Sequence, residues 1–430
     1  MRKALHDFER RAVTSQPFDY PIAAPYRTIG QSLIRRLSQA GMRPGKLSLA
    51  GGYPGAELFD RDGLLAASDA VLRESPVACL QYGPAEGLPV MREAVVALLA
   101  SRGMHCAPDE VLITSGSQQG FDVVIRTMMA PGEVAIVERP TYTGPLRALR
   151  VASAEVLTVG IDGNGIDVDE LAELLEGRRR RAQKPPRLIY TIPTFGNPSG
   201  ATMSRDRRLR LLELAVAHRL LVLEDDPYSA LRFAGAPIEQ LHALADTVPG
   251  ARDLVIHCGS FSKVIAPGLR IGFMVAPRPV RAACTIARQL IDLSSPGWIQ
   301  MAVARYVATG ALAAHLPLIR EGYRVKAEAM RTALQSELGD RFGCHFPDGG
   351  MFAWGRLTGG HSARELLALA IDEGVTFVPG DIYYADRPDA ATLRLSFSQP
   401  TVDGIREGVA RMGRALDRLD AGERKPLELG

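Results

Sequence analysis

Between Val111 and Ala276, short apolar runs rich in β-branched residues alternate with longer stretches whose apolar positions recur at helical spacing. The runs are VLIT, VAIVE, EVLTV, LIYTI, LLVLED, LVIHC and IGFMVA. LLVLED is apolar until it ends in acids, which predicts a strand buried on both faces of a parallel sheet. From about Ser294 a long helical region with few breakers leads to a second set of strand-like runs, FGCHFPDGGMFAWGR, TFVPG and LRLSFS, interleaved with helices. The expected fold class is α/β, with a mostly parallel sheet between helices and a smaller α/β unit toward the C-terminus.

In such a sheet ligands gather at the carboxyl ends of the strands, so the residues that follow each run carry the candidate chemistry. LLVLEDDPY brings Asp225 and Tyr228 to that edge. LIYTIPTFGNPSG breaks into a Pro/Gly turn that delivers the amide of Asn197. VLITSGSQQG precedes a helix-like stretch, so backbone N–H groups around Ser117 and Gln118 can face an anion at a helix N-terminus. SFSKVIAPGLR sets Lys263 among Ser260 and Ser262 ahead of Arg270. A lysine attacks an aldehyde only as the free amine, and arginine meets a phosphate through two parallel hydrogen bonds. A phosphorylated aldehyde cofactor satisfies both halves. Taken singly, each residue also fits an ordinary cap, turn or rim position, and the ordered set of segments carries the reading.

These blocks, with LAGGYPGAELF, LQYGPAEG, ERPTYTG, DGGMF and FVPG, resemble the fold-type I, pyridoxal-phosphate-dependent class I/II aminotransferases, closest to the 2-aminoadipate and kynurenine group, from about Leu47 to Pro400. The resemblance implies a seven-stranded sheet with one antiparallel step. It also implies an N-terminal segment (1–60) joining the small domain, a large cofactor domain (61–300) and a small C-terminal domain (301–430). It makes Lys263 the Schiff-base lysine and proton shuttle, and Asp225 the partner of the pyridinium nitrogen. Asn197 and Tyr228 would hydrogen-bond the ring's phenolic oxygen, and Tyr142 would stack on the ring. Ser117, Gln118, Ser260, Ser262 and Arg270 would hold the phosphate, and Tyr82 would reach the neighbouring subunit's phosphate, giving a homodimer with shared sites. Arg394 would bind the substrate α-carboxylate; an outward, salt-bridged arginine is the alternative in its alternating strand. Gly52 and Tyr53 fall at the substrate mouth. Arg35 aligns approximately with an N-terminal arginine that contacts substrate side chains in relatives, and an exposed helix charge is the plainer reading of it. Departures from the family pattern at Tyr53, Asp60 and Gly196 leave substrate choice open.

The implied activity is transfer of an amino group from an amino acid to a 2-oxo acid, with 2-oxoglutarate as the expected acceptor. Lyase, racemase, cyclase and decarboxylase reactions on the same scaffold, or a silent ligand sensor, are the alternatives. The first block begins near Leu47, leaving no room for the winged-helix domain of about a hundred residues that regulator relatives carry, so a regulator is the weaker expectation.

Composition narrows this further. A formal net charge of +3 over 430 residues gives no support for nucleic-acid binding, and the run Arg178 to Arg181 reads as a solvated loop. Five cysteines without CxxC spacing argue against a disulfide framework or zinc site and fit a reducing compartment. MRKALHDFERR lacks the apolar stretch of a signal peptide, and no run approaches a membrane span. The cytoplasm is the expected location, and AGERKPLELG reads as a polar tail.

Overall fold

The computed structural model describes residues 20–427, which fall in two units that divide after Gly30. The segment MRKALHDFERR and the last three residues of the expected polar tail lie outside the described residues. In the first unit Ala24–Thr28 is a short helix with proline in its first turn, and Arg27 Nε donates to the Ile22 carbonyl at 2.6 Å.

Among the described residues the second unit holds fourteen strands: β1 (Leu47–Ser48), β2 (Val111–Thr114), β3 (Val134–Arg139), β4 (Glu155–Asp162), β5 (Gly165–Ile166), β6 (Pro186–Thr191), β7 (Leu221–Asp226), β8 (Val255–Ser260), β9 (Gly272–Val275), β10 (Phe342–His345), β11 (Phe352–Leu357), β12 (Val375–Thr376), β13 (Val378–Pro379) and β14 (Thr392–Ser396). The large sheet has the spatial order β2-β9-β8-β7-β6-β3-β4-β5. Strands β8, β7, β6, β3 and β4 are parallel, and β9 runs antiparallel to both β2 and β8. The expected seven strands are therefore present, but the expected single antiparallel step is two, because the reversed β9 lies between β2 and β8 and not at an edge. The eighth, β5, is a two-residue return from β4 around a turn in which Asn164 N donates to Asp162 Oδ1 at 2.7 Å. Its brevity leaves too little periodicity to read from sequence.

Alternation along the central strands divides the core into two layers. Ile136, Ile189, Val222 and Val255 pack with Leu171 and Leu175 of the helix Val168–Arg180 and with Leu211 and Leu212 of the helix Arg205–His218. Their neighbours Ala135, Val137, Leu188, Tyr190, Leu223 and Ile256 face the other way, toward Phe121 and Val124 of the helix Ser117–Met128. Each large apolar side chain buried here contributes roughly 1.5–3 kcal/mol. This double burial explains why the strands read as apolar runs.

The smaller sheet is antiparallel in the order β10-β11-β14-β13, and β1 pairs in parallel with β12. TFVPG, read as one strand, serves two sheets. Thr376 pairs with Ser48 and Val378 with Arg394, while the fully buried Phe377 sits at the changeover. The helical region after Ser294 is two helices, Gly297–Ala308 and Ala311–Glu337, broken at Gly310.

The arginine run corrects the sequence reading. Arg178, Arg179 and Arg180 are the last turn of the helix Val168–Arg180, not a loop. Cations are favoured at that end by the helix dipole, and Arg178 is further held by the Lys184 carbonyl and Glu155.

The reversed strand β9 passes so close to the turn after β2 that a Cβ on Gly272 would stand 2.6 Å from the Gly116 carbonyl carbon and 2.8 Å from Ser117 N. Backbone atoms on both sides cannot yield as a side chain would. Gly272→Ala should therefore lower stability by roughly 1–3 kcal/mol, read as a reduced Tm. Gly343→Ala, with nothing near its Cβ position, should leave Tm almost unchanged; equal Tm for both variants would refute the close-packed crossing.

Candidate active site

The carboxyl ends of β2, β6, β7 and β8 converge on a cavity of about 550 Å³. Alternation sets which acid of β7 it receives. Glu224 points into the Leu211 layer, where it accepts from Leu241 N at 2.7 Å and bonds His257 Nδ1 at 2.8 Å. Asp226 turns back on its own chain and caps Ser229 through N and Oγ at 3.0 and 2.6 Å. Asp225, between them, faces the cavity at 2 % exposure. Its Oδ2 accepts from Tyr190 OH at 2.7 Å, while its Oδ1 is buried without a hydrogen-bond partner. Burial pushes its pKa up to about 6, against the favourable Tyr190 bond.

Lys263 follows β8 and donates from Nζ to the Gly52 carbonyl at 2.9 Å. Burial, helped by the positive charges of Arg394 and Arg270 and opposed by Asp225, lowers its pKa to about 8. The amine is thus far readier to lose its proton than an ordinary lysine.

An anion site lies beside it. Gly116, at φ +85°, caps the helix Ser117–Met128, whose first N–H groups open toward the cavity. A side chain on Gly116 would meet Arg270 Nη2 at 2.7 Å. Arg270 itself stands in the left-handed region at φ +51°, and its guanidinium is held by the carbonyls of Ser115 at 2.6 Å and Pro267 at 3.3 Å. Backbone strain of this kind persists where the surrounding structure enforces it. Ser260 and Ser262 complete the turn, with Ser262 N donating to Ser260 Oγ at 3.1 Å.

Arg394, on β14, is 1 % exposed. It donates to Asn197 Oδ1 at 2.7 Å and to the Ala50 carbonyl at 2.5 Å, its Nε has no partner, and the Phe352 ring lies 4.1 Å beneath the guanidinium. Neither Arg394 nor Arg270 is ion-paired with a carboxylate among the described residues, so the outward, salt-bridged alternative for Arg394 does not hold. Burying an arginine against carbonyls and rings alone leaves a charge that a carboxylate ligand would satisfy. Tyr228 is buried, which keeps its phenol protonated and a donor.

The cavity brings together Lys263, Asp225, Tyr228, Asn197, Tyr142, Ser117, Gln118, Ser260, Ser262, Arg270 and Arg394, together with Gly52, Tyr53 and Arg35. Tyr82 does not line it and stands 81 % exposed on the surface. Several lining or supporting residues escaped the sequence reading. Tyr190 shares a face with Asp225 on the adjacent strand, a parity visible once the strands are aligned. Thr143, Gly144 and Arg147 share one face of the helix Thr143–Val151, and only their helical spacing from Tyr142 signals them.

The donor set suits pyridoxal phosphate: an activated amine, a helix N-terminus with an arginine for the phosphate, and an acid with one orphaned oxygen for the ring nitrogen. The comparisons agree. The family model described as aminotransferase class I and II matches residues 55–412. The chain is 40 % identical to the 2-aminoadipate transaminase of Thermus thermophilus over 91 % of its length and 95 % of the relative's. The crystal structure of Pyrococcus horikoshii kynurenine aminotransferase superposes with a TM-score of 0.87 at 34 % identity, covering 97 % of this chain and 99 % of that one. The α-aminoadipate aminotransferase of Thermus thermophilus, complexed with N-(5'-phosphopyridoxyl)-L-leucine, does so with a TM-score of 0.85 at 38 % identity, covering 93 % and 98 %. Geometry and kinship lead to one conclusion: the chain belongs to the class I and II aminotransferases, pyridoxal-phosphate enzymes that move an amino group from an amino acid to a 2-oxo acid.

Proposed function

We propose that this aminotransferase is a homodimer that draws its amino group from an amino acid and passes it to 2-oxoglutarate by a ping-pong sequence. The observation that carries the reading is Arg394: a buried guanidinium with a free Nε and no carboxylate partner among the described residues, lining the same cavity as Lys263 and Asp225. Its planar fork suits the α-carboxylate common to both substrates.

When bound, pyridoxal phosphate supplies an aldehyde for the amino group and a ring that takes up the electron pair left at the substrate α-carbon. Lys263 would hold the cofactor's aldehyde through its amine and would move the proton at the substrate α-carbon. Asp225, through its unpartnered Oδ1, would keep the ring nitrogen protonated. Asn197 and Tyr228 would serve the phenolic oxygen, and Tyr142 would pack against the ring. Ser117, Gln118, Ser260, Ser262 and Arg270 would hold the phosphate. Gly52, Tyr53 and Arg35 form the substrate mouth.

Tyr82 completes the phosphate site of the other subunit. Its exposure, with that of Val77, Leu80, Ile286 and Leu290, leaves large apolar side chains between 62 % and 83 % exposed, which favours a covered surface. Residues 61–300 act as the large domain and 301–430 as the small one, and the pairing of Leu47 with Val375 favours assigning the stretch 31–60 to the small one. Five unpaired cysteines fit residence in the cytoplasm.

Three outcomes are expected. Single amino acids added without an oxo acid should convert the cofactor to its pyridoxamine form, 2-oxoglutarate should reverse this, and Lys263→Ala should lose turnover by several orders of magnitude; binding that never reaches pyridoxamine would refute aminotransfer. Asp225→Asn, which keeps the shape but loses the charge, should weaken cofactor retention and lower kcat by roughly 100-fold or more; near-normal kcat would show that another group serves the ring nitrogen. Cofactor capture by the apoprotein needs the neutral Lys263 amine, so its rate should rise as pH increases through about 8. Because Arg394 helps lower that pKa, Arg394→Gln should move the midpoint to higher pH, as stopped-flow absorbance would report.

A further inference from the structure

The helix Arg278–Asp292 buries two side chains, Cys284 and, one turn later, Arg288. A small thiol is what a helix packed against its neighbours calls for at such a position. Arg288 is not, because an apolar residue would avoid the cost of burying a charge at 0 % exposure. What the guanidinium touches accounts for it. It donates through Nη1 to the Ala85 carbonyl, through Nη2 to Ser295 Oγ at 2.8 Å and through Nε to Gln119 Oε1 at 3.3 Å. Its ion-pair partner is Asp292, whose Oδ1 stands 3.5 Å from Nη2.

Two of these partners carry the contact onward to the anion site. Gln119 Oε1 also accepts from Ser115 N at 2.8 Å, and Asp292 Oδ2 accepts from Gln119 Nε2 at 2.8 Å and from Ser115 Oγ at 3.2 Å. The Ser115 carbonyl in turn accepts from Arg270 at 2.6 Å. Each polar group of Ser115 is therefore engaged. The next residue is Gly116, at φ +85°, which opens the helix Ser117–Met128 toward the cavity. A glycine sets no conformation by itself, so the direction of the N–H groups that follow depends on what holds Ser115. Arg288 is braced at its far end as well: Gln300 accepts from Leu88 N and donates to the Ser295 carbonyl, both at 2.8 Å, which ties the chain on either side of its partners.

We propose that Arg288, which does not line the cavity, is the positioning residue of the cofactor phosphate site. Through Gln119 and Asp292 it fixes Ser115, and Ser115 aims both the helix N-terminus and Arg270 at the phosphate. The inference rests on the phosphate roles proposed for Ser117, Gln118 and Arg270 and goes beyond them by naming what holds those groups in place.

The test uses two probes on the full-length apoprotein, pyridoxal phosphate and pyridoxal, which share the ring and aldehyde and differ in the phosphate. The absorbance change on capture by Lys263 gives the affinity of each. The wild type should bind the phosphorylated probe far more tightly. Arg288→Met should weaken pyridoxal phosphate by roughly 10- to 100-fold, the worth of one or two hydrogen bonds to a charged group, and leave pyridoxal almost unchanged. Arg288→Lys, which keeps the charge beside Asp292 and loses the fork, should recover part of that loss. Asp292→Asn keeps the shape of a partly exposed side chain; it should move the ratio of affinities the same way, and it decides the matter if Arg288→Met does not fold. A ratio unchanged from the wild type, whether both probes weaken equally or neither does, would overturn the proposal by reducing Arg288 to a structural role. A wild type that binds the two probes equally would instead sink the phosphate-site reading, and one that captures neither would sink the cofactor chemistry at Lys263, each taking this proposal with it.

Discussion

A carboxylate taken out of water without a full set of partners is costly, and the architecture of this site is organised around one. Asp225 is 2 % exposed, accepts from Tyr190, and has its second oxygen buried without a partner at hydrogen-bond geometry, with the Ser117 hydroxyl nearby. It stays there because β7 is locked on both sides by parallel neighbours and packed on both faces, so its side chain has no route to solvent. The flanking acids show how narrow the arrangement is. One residue earlier, Glu224 is satisfied by two backbone N–H groups and His257; one residue later, Asp226 is satisfied by Ser229. Only the middle acid is left wanting a cationic partner, which a protonated ring nitrogen supplies.

The opposite charge is handled by the same economy of partners. Arg394 and Arg270 are tied to carbonyls, and Arg394 also to Asn197 and the Phe352 ring, but neither is neutralised among the described residues. Their fields reach Lys263 and help strip its proton. In the proposed roles, a phosphate on Arg270 and a carboxylate on Arg394 would relieve that repulsion. Recognition and activation are thus one electrostatic arrangement and not two sets of residues.

The legibility of the sequence followed burial. Runs such as VAIVE and LLVLED were readable as strands because both faces are buried and the apolar signal is continuous. The residues after them were readable as a site because ligands meet strand ends, and the family motifs assigned their roles. What escaped was set by tertiary context. TFVPG changes sheets at Phe377, β5 is too short to show a period, and the arginine run extends a helix whose dipole favours it. Arg147 was invisible for a related reason: on a helix flank, an arginine that faces a cavity and one that faces water have the same local pattern. Tyr82 stands exposed outside the cavity, so this chain's packing assigns it no contact with the site.

This division has a consequence for how such a fold is reused. Asp225 sits near a strand end and Lys263 and Arg270 in the turn after β8, beside the backbone crossing of Gly272 against Gly116, while Arg394 lies within β14. Arg35 and Arg147 line the same cavity from the helices Leu33–Gly41 and Thr143–Val151. Relatives described as acting on 2-aminoadipate and on kynurenine can therefore share this backbone closely, with TM-scores of 0.85 and 0.87.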